Sequence, residues 1–261
     1  MSHSGPAIDV TDPYGIRDTQ IRLLEILKEI DLFCRENDIQ YSIDGGTLLG
    51  AVRHQGFIPW DDDADIMMDR ENYKRFLELA KDKLPEELEI IGDTWVKRVT
   101  RKDNPHKAEE EDCIDLFIWD HVPEQKGKRT VKHLLLKILQ GMLKKDVDYT
   151  QYSTINKIRV FVTHAMGKLF TTQRKQKWYE QVSQWGNREQ TSQSNIYNSF
   201  YRLISGFTYD SRIMDEFDEI RFEDTRLMAT READGYLTAY YGDYMKLPPE
   251  EERIPVHGKK K

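Results

Sequence analysis

Four aspartates fall within five positions of this chain: Asp61, Asp62, Asp63 and Asp65. On an extended strand Asp61, Asp63 and Asp65 share one face, and Asp62 and Ala64 the other. Three like charges on one face repel, so the arrangement is costly unless a divalent cation sits among them. Fifteen residues before Asp61 stands Gly46, preceded by Gly45 and the strand-like run 40–44. A strand, a glycine pair and then a helix place bare backbone N–H groups and a helix N-terminus beside a bound anion. Glycines for phosphate and alternating carboxylates for Mg²⁺ (or Mn²⁺) are what nucleotidyl or phosphoryl transfer requires. Arg53 and His54 lie between the two runs.

Each run is weak evidence alone, because a solvated acidic turn is the common fate of clustered aspartates. A calcium loop beginning at Asp61 is excluded: its sixth position is Ile66 instead of Gly, and its twelfth is Asn72 instead of Glu. A Walker loop is excluded because no Gly-Lys-Ser/Thr follows Gly50. Covalent catalysis is disfavoured, since neither Cys34 nor Cys113 lies in the motif and no serine sits on a recognisable nucleophile elbow. The specificity comes from the glycine pair and the aspartates together, at this spacing.

The elements that must hold these residues can be read along the chain. Asp12 and Pro13 predict a helix start, and Ile16, Leu23, Leu24, Leu27, Ile30 and Phe33 recur at helical spacing up to Asn37. After the strand 40–44, residues 47–53 predict a short helix, and His54, Gln55 and Gly56 the turn leading to the aspartates. Asp69 caps a predicted helix over 70–84 that Pro85 closes. Residues 89–91 and 95–101 predict strands, 102–112 a charged loop, and 113–119 a strong strand interrupted by Asp115. A carboxylate inside a buried strand is expensive unless it is paired or bound to metal. Three helices follow, the first with Val131, Leu134, Leu135, Ile138, Leu139, Met142 and Leu143 as its apolar stripe, then 155–170 and 173–185. Residues 194–207 give no clear assignment. Residues 221–228 predict a hairpin, and 231–241 a helix ending at Gly242.

A chain of 261 residues is one large domain, or one with an insertion. The net charge of −7 is uneven: residues 126–177 hold thirteen Lys/Arg against Asp146 and Asp148, so this segment carries +11 and the remainder −18. Two cysteines without metal-ligand spacing fit a reducing compartment. No secretory signal is visible, and no apolar run approaches the ~20 residues of a membrane span. A cytoplasmic location is expected, and no nucleic-acid partner. The expected division is a catalytic core over 7–125, a basic helical insertion over 126–190, and a segment completing the core over 191–257. The insertion has two readings, a helical subdomain packed on the core or a basic amphipathic surface for anionic lipid or a lipid-linked acceptor.

The runs Gly46-Thr-Leu-Leu-Gly-Ala-Val-Arg-His54 and Gly56-Phe-Ile-Pro-Trp-Asp-Asp-Asp63 closely resemble the signature of the LicD family, with Ala64 a departure from the usual Ile or Val. Ile114-Asp-Leu-Phe117, Asp120, Tyr241-Gly-Asp-Tyr-Met245, Arg253 and His257 resemble the family too. The resemblance implies an α/β (α+β) fold, a nucleotidyltransferase-like mixed sheet flanked by helices with a helical insertion. It implies transfer of a phosphorylated alcohol from a CDP donor to a cell-surface glycan precursor such as teichoic acid, with CMP released. The resemblance is strongest to the phosphocholine branch, with CDP-choline as donor; another CDP-alcohol (ribitol, glycerol, ethanolamine), or nucleotidyl transfer releasing pyrophosphate, are the alternatives. Asp61, Asp63, Asp65 and Asp115 would hold the metal, with Asp63, Asp65, Asp115 and Arg53 catalytic. Gly45, Gly46, Thr47, His54, Trp60 and Trp119 are the expected substrate-binding positions. The acceptor is a glycan that can be lipid-linked, which suggests peripheral contact with the inner face of the plasma membrane.

Overall fold

A computed structural model describes residues 12–92, 95–145, 147–151, 153–187 and 191–255. His257, the outermost residues of the expected core and positions 188–190 of the insertion lie outside the described residues. The first helix, α1 (Arg17–Glu36), buries Leu23, Leu27, Ile30 and Phe33, as its periodicity predicts. It starts later than Pro13, because the Asp12 carboxylate accepts the N–H groups of Ile16 (3.1 Å) and Arg17 (3.2 Å) and holds a separate turn ahead of it.

Next come β1 (Ser42–Ile43), α2 (Gly45–His54), β2 (Ala64–Asp69) and α3 (Arg70–Lys83). The Asp69 side chain caps α3 by accepting from the Asn72 N–H at 2.7 Å. Then follow β3 (Leu88–Ile91), β4 (Lys97–Arg101) and β5 (Ile114–His121). β2 and β5 run parallel at the centre of a mixed sheet, with β1 antiparallel outside β2. On its other edge β5 pairs antiparallel with β4 through its first half, and β3 lies beyond.

The second half of that edge is filled by the stretch without a sequence assignment. It forms β6 (Gln193–Ile196), which pairs with β5, then α7 (Phe200–Ser205) and the short strand β7 (Tyr209–Asp210). A separate hairpin of β8 (Phe217–Phe222) and β9 (Thr225–Thr230) follows, and then α8 (Ala233–Tyr241). One apolar core joins α1, α2, α3, the sheet, the hairpin and α8, and it includes Ile66, Met67, Leu116 and Leu227. Both cysteines are free and buried.

Three helices intervene between β5 and β6: α4 (Lys126–Leu143), α5 (Thr154–Gly167) and α6 (Thr172–Ser183). α4 and α6 share a second, smaller core of Leu136, Leu139, Met142, Leu143 and Tyr179, completed by Val122, Tyr197 and Leu203, while α5 adds no side chain to it. The expected apolar stripe of α4 is only half right. Val131 and Leu134 are exposed, whereas Lys132 is fully buried. The Lys132 ammonium donates to the carbonyls of His121 (3.1 Å) and Trp185 (2.7 Å) and sits 4.3 Å over the Tyr197 ring. Lys175 is buried likewise and donates to the Met142 carbonyl. These two lysines bind carbonyls at the end of β5, beyond α6 and in the last turn of α4, and are not part of a basic surface. Among the described residues no helix is long and apolar enough to cross a membrane.

Candidate functional site

The parallel register of β2 on β5 sets Asp65 beside Asp115, and the antiparallel register of β4 sets Arg98 beside Asp115 on its other side. Cross-strand neighbours project to the same side. Arg98 donates through Nε to Asp115 Oδ1 at 2.6 Å. Asp61 and Asp63 approach along the extended chain before β2, and all four carboxylates line one cleft of about 910 Å³. Asp62 turns the other way into the protein and is buried, so the alternation expected for a strand already holds in the residues leading into it.

The two glycines are required by these carboxylates. A Cβ on Gly46 would stand 2.3 Å from Asp61 Oδ2, and one on Gly45 would stand 2.8 Å from Asp65 Oδ2. Gly45 also adopts φ +52°, a region that side-chain-bearing residues avoid. The glycine pair thus starts α2, inside the helix and not ahead of it, and lets the aspartates close onto bare backbone.

Other contacts fix the aspartate run. Thr47 Oγ1 accepts the Asp65 N–H at 2.9 Å, clamping β2 to α2. Gln20 on α1 donates to the carbonyls of Ile58 (3.1 Å) and Asp61 (3.0 Å). Glu223, in the turn of the β8–β9 hairpin, accepts the Phe57 N–H and pairs with Arg17 at 2.7 Å. Thr47 therefore acts on the carboxylate strand and does not line the cleft.

Crowding raises the proton affinity of this cluster. Burial, then the Asp63 charge, holds Asp61 well above the usual carboxylate range. Burial followed by the charges of Asp63, Asp115 and Asp44 does the same for Asp65. Burial pushes Asp115 up to about 6 against the pull of Arg98. A half-buried set of hard oxygen donors that resists its own charge suits a hard divalent cation. Among the described residues, no three His, Cys, Asp or Glu side chains already stand in ligand geometry, so the carboxylates would have to turn inward to share an ion.

Arg53 enters the cleft from α2, with Nη1 donating to the Tyr244 carbonyl at 2.8 Å and Nε to His54 Nε2 at 2.9 Å. His54 is outside the lining; burial and the Arg53 charge lower its pKa, so it holds Arg53 as a neutral acceptor. Trp60 lines the cleft, and Arg253 sits 5.5 Å over its ring. Trp119 does not line it. It lies on the same face of β5 as Asp115 and Phe117, but Tyr209 and Tyr236 cover it.

Arg202 of α7 is the residue that sequence reasoning missed. It is buried beside Gly45, pairs with the fully buried Asp44, and stacks 5.0 Å over Tyr240 and 5.5 Å over Phe117. Tyr236 donates its hydroxyl to the same Asp44 carboxylate. The other wall is aromatic and comes from the end of the chain, with Tyr240, Tyr241 and Tyr244 joined by Asp243 and Glu252.

Residues 38–137 match the LicD/FKTN/FKRP nucleotidyltransferase domain. Over this segment the chain is similar to the LicD family. It is 29% identical to the lipopolysaccharide cholinephosphotransferase LicD of Haemophilus influenzae, over 93% of this chain and 96% of that protein. It is 32% identical to an uncharacterized protein of Rickettsia prowazekii, over 45% of this chain and 39% of that one. The matched segment 38–137 contains all four cleft aspartates and both glycines, whereas Arg202 and the aromatic wall fall outside it.

Proposed function

We propose that this chain is a LicD-family phosphotransferase that moves phosphocholine from CDP-choline to a hydroxyl of a cell-surface glycan precursor, of teichoic acid or similar kind, and releases CMP. One observation carries the reading: a single cleft has carboxylates over bare glycine backbone on one wall and aromatic rings with two acidic side chains on the other. The similarity to the Haemophilus cholinephosphotransferase along nearly the whole of both chains supports it.

Asp61, Asp63, Asp65 and Asp115 are the residues that would hold Mg²⁺ or Mn²⁺, which supplies neutralisation of the diphosphate charge. The start of α2 at Gly45 and Gly46 presents N–H groups to the phosphates. Arg53, with one guanidinium arm fixed on Tyr244, faces the charge that builds on the departing CMP. The acceptor oxygen bonds to the choline-bearing phosphorus in line. The bond from that phosphorus to the bridging oxygen breaks, and CMP leaves with that oxygen. Asp115 accepts the proton of the acceptor hydroxyl. A quaternary ammonium cannot hydrogen-bond, so Trp60, Tyr241, Asp243 and Glu252 form its subsite, each cation–π contact contributing about 0.5–2 kcal/mol. Trp60 already carries the guanidinium of Arg253 in this way.

The test is a competition among CDP-choline, CDP-ethanolamine, CDP-glycerol and CDP-ribitol with a glycan acceptor, CMP release being the readout. CDP-choline should be preferred, and Asp63→Asn, Asp65→Asn and Asp115→Asn should each lose about 10³-fold in turnover while folding normally. Preference for a polyol donor would overturn the choline assignment. Pyrophosphate in place of CMP would overturn the phosphotransfer itself.

A further inference from the structure

Helix α5 is built with its faces reversed. A surface helix ordinarily turns its apolar stripe to the core. In α5 the only buried residue is Gly167. The helix meets α4 through small groups: a Cβ on Gly141 would stand 2.2 Å from Thr163 Oγ1, and one on Gly167 would stand 2.2 Å from the Met142 carbonyl oxygen. These glycines let the two backbones close together on the side of Thr163. The opposite side of α5 carries Ile155, Ile158, Phe161, Val162 and Met166, with Leu169 just beyond the helix, and their exposures run from 44% to 78%. At 3.6 residues per turn they span an arc of about 140°. The exposed cations flank this arc, Lys157 and Lys168 on one side and Arg159 on the other. Ile158 and Val162 continue into an apolar groove shared with Leu134, Ile138 and Ile204.

We propose that this outward face of α5 docks on the surface of an anionic phospholipid bilayer. An apolar arc bordered by lysine and arginine matches acyl chains below and anionic headgroups alongside. The charge distribution fixes the occupant and the pose. With the buried Lys132 and Lys175 set aside, residues 126–177 still carry +9 against −18 for the rest of the chain, so an anionic surface attracts this segment and turns the remainder away. The same charge opposes a second copy, which would bring two strongly basic faces together. The contact is interfacial, since among the described residues no helix can span a bilayer. It is independent of the transfer chemistry, because none of its residues lies in the cleft.

The experiment is co-sedimentation of the full chain with vesicles of phosphatidylcholine alone, and with phosphatidylglycerol added at about one lipid in three. The wild type should bind the anionic vesicles at low salt and release at about 0.5 M NaCl. Phe161→Ser with Leu169→Ser should weaken binding about a hundredfold. Lys157→Gln, Arg159→Gln and Lys168→Gln together should weaken it by a similar factor, at about fivefold per cation. Both variants alter exposed side chains and should keep the wild-type circular dichroism and turnover on soluble substrates. No binding by the wild type, equal binding to both vesicle types, or full binding by either variant would overturn the proposal. So would a wild-type dimer in light scattering that the apolar variant dissolves.

Discussion

Gly46→Ala separates the demands of the site from those of the fold. The residue lies within α2 and has no positive φ, so alanine is conformationally welcome and should gain about 0.5–1 kcal/mol of helix stability. Its Cβ, however, would stand 2.3 Å from Asp61 Oδ2 and 3.3 Å from Asp61 Cγ. The Asp61 backbone cannot yield, because its N–H is bonded to the Ile58 carbonyl and its own carbonyl accepts from Gln20. The carboxylate must therefore rotate away by about 1 Å to regain van der Waals distance. A displacement of that size at a reacting centre can reduce turnover about 10²-fold. The expected result is an unchanged or slightly higher Tm together with a hundredfold loss of CMP release. Gly45→Ala is the contrast: its φ of +52° adds about 1–2 kcal/mol of strain, so stability and activity should fall together. Turnover of Gly46→Ala within about threefold of wild type would refute the claim that the glycine makes room for a catalytic carboxylate.

Two further outcomes follow from buried charges outside the carboxylate cluster. Burial pushes the Lys132 ammonium down to about 7, so between pH 7 and its ordinary 10.5 the unfolded chain holds a proton that the folded state has released. That group's contribution therefore makes stability rise with pH across the window, by up to about 1.4 kcal/mol per pH unit. Urea midpoints at about pH 7.5 and 8.5 should show the rise in the wild type, and Lys132→Met should flatten it; equal slopes would contradict the assignment. Arg202→Met leaves the fully buried Asp44 without its counterion and should cost about 3–5 kcal/mol, read as a Tm drop on the order of 10 °C. Adding Asp44→Asn should recover most of that loss, because the side chain then keeps the Tyr236 hydroxyl without a buried charge.

Local pattern made most of the scaffold legible. The helical period of α1, the Asp69 cap and Pro85 stop of α3, and the apolar run of β5 are each set by neighbours in sequence. What pattern could not supply was the second core. A helix between two layers has two apolar demands, and α4 meets them by turning Leu136, Leu139 and Leu143 inward while leaving Leu134 on the surface. Nor does composition distinguish a solvated lysine from Lys132, whose amine nitrogen is held by two carbonyls at the ends of other elements.

In the cleft the boundary of legibility follows the same physics. Asp61, Asp63 and Asp65 share a face because of strand alternation, a property of consecutive residues. The neighbour relation of Asp65 and Asp115 depends on a parallel register across a long excursion of the chain, which no local signal encodes. Trp119 shows the limit of alternation. It shares a face with Asp115 and Phe117, but the face is open only as far as Phe117, where Tyr209 and Tyr236 close over it. Arg202 is the sharpest case, because its partner Asp44 lies 158 residues away and its own segment has no strong period. One signal was present. Asp44 stands between a buried strand and the glycine pair, and it makes no side-chain cap to α2. A buried carboxylate with no local donor must find its counterion elsewhere, and Arg202, which lines the cleft beside Gly45, is that counterion.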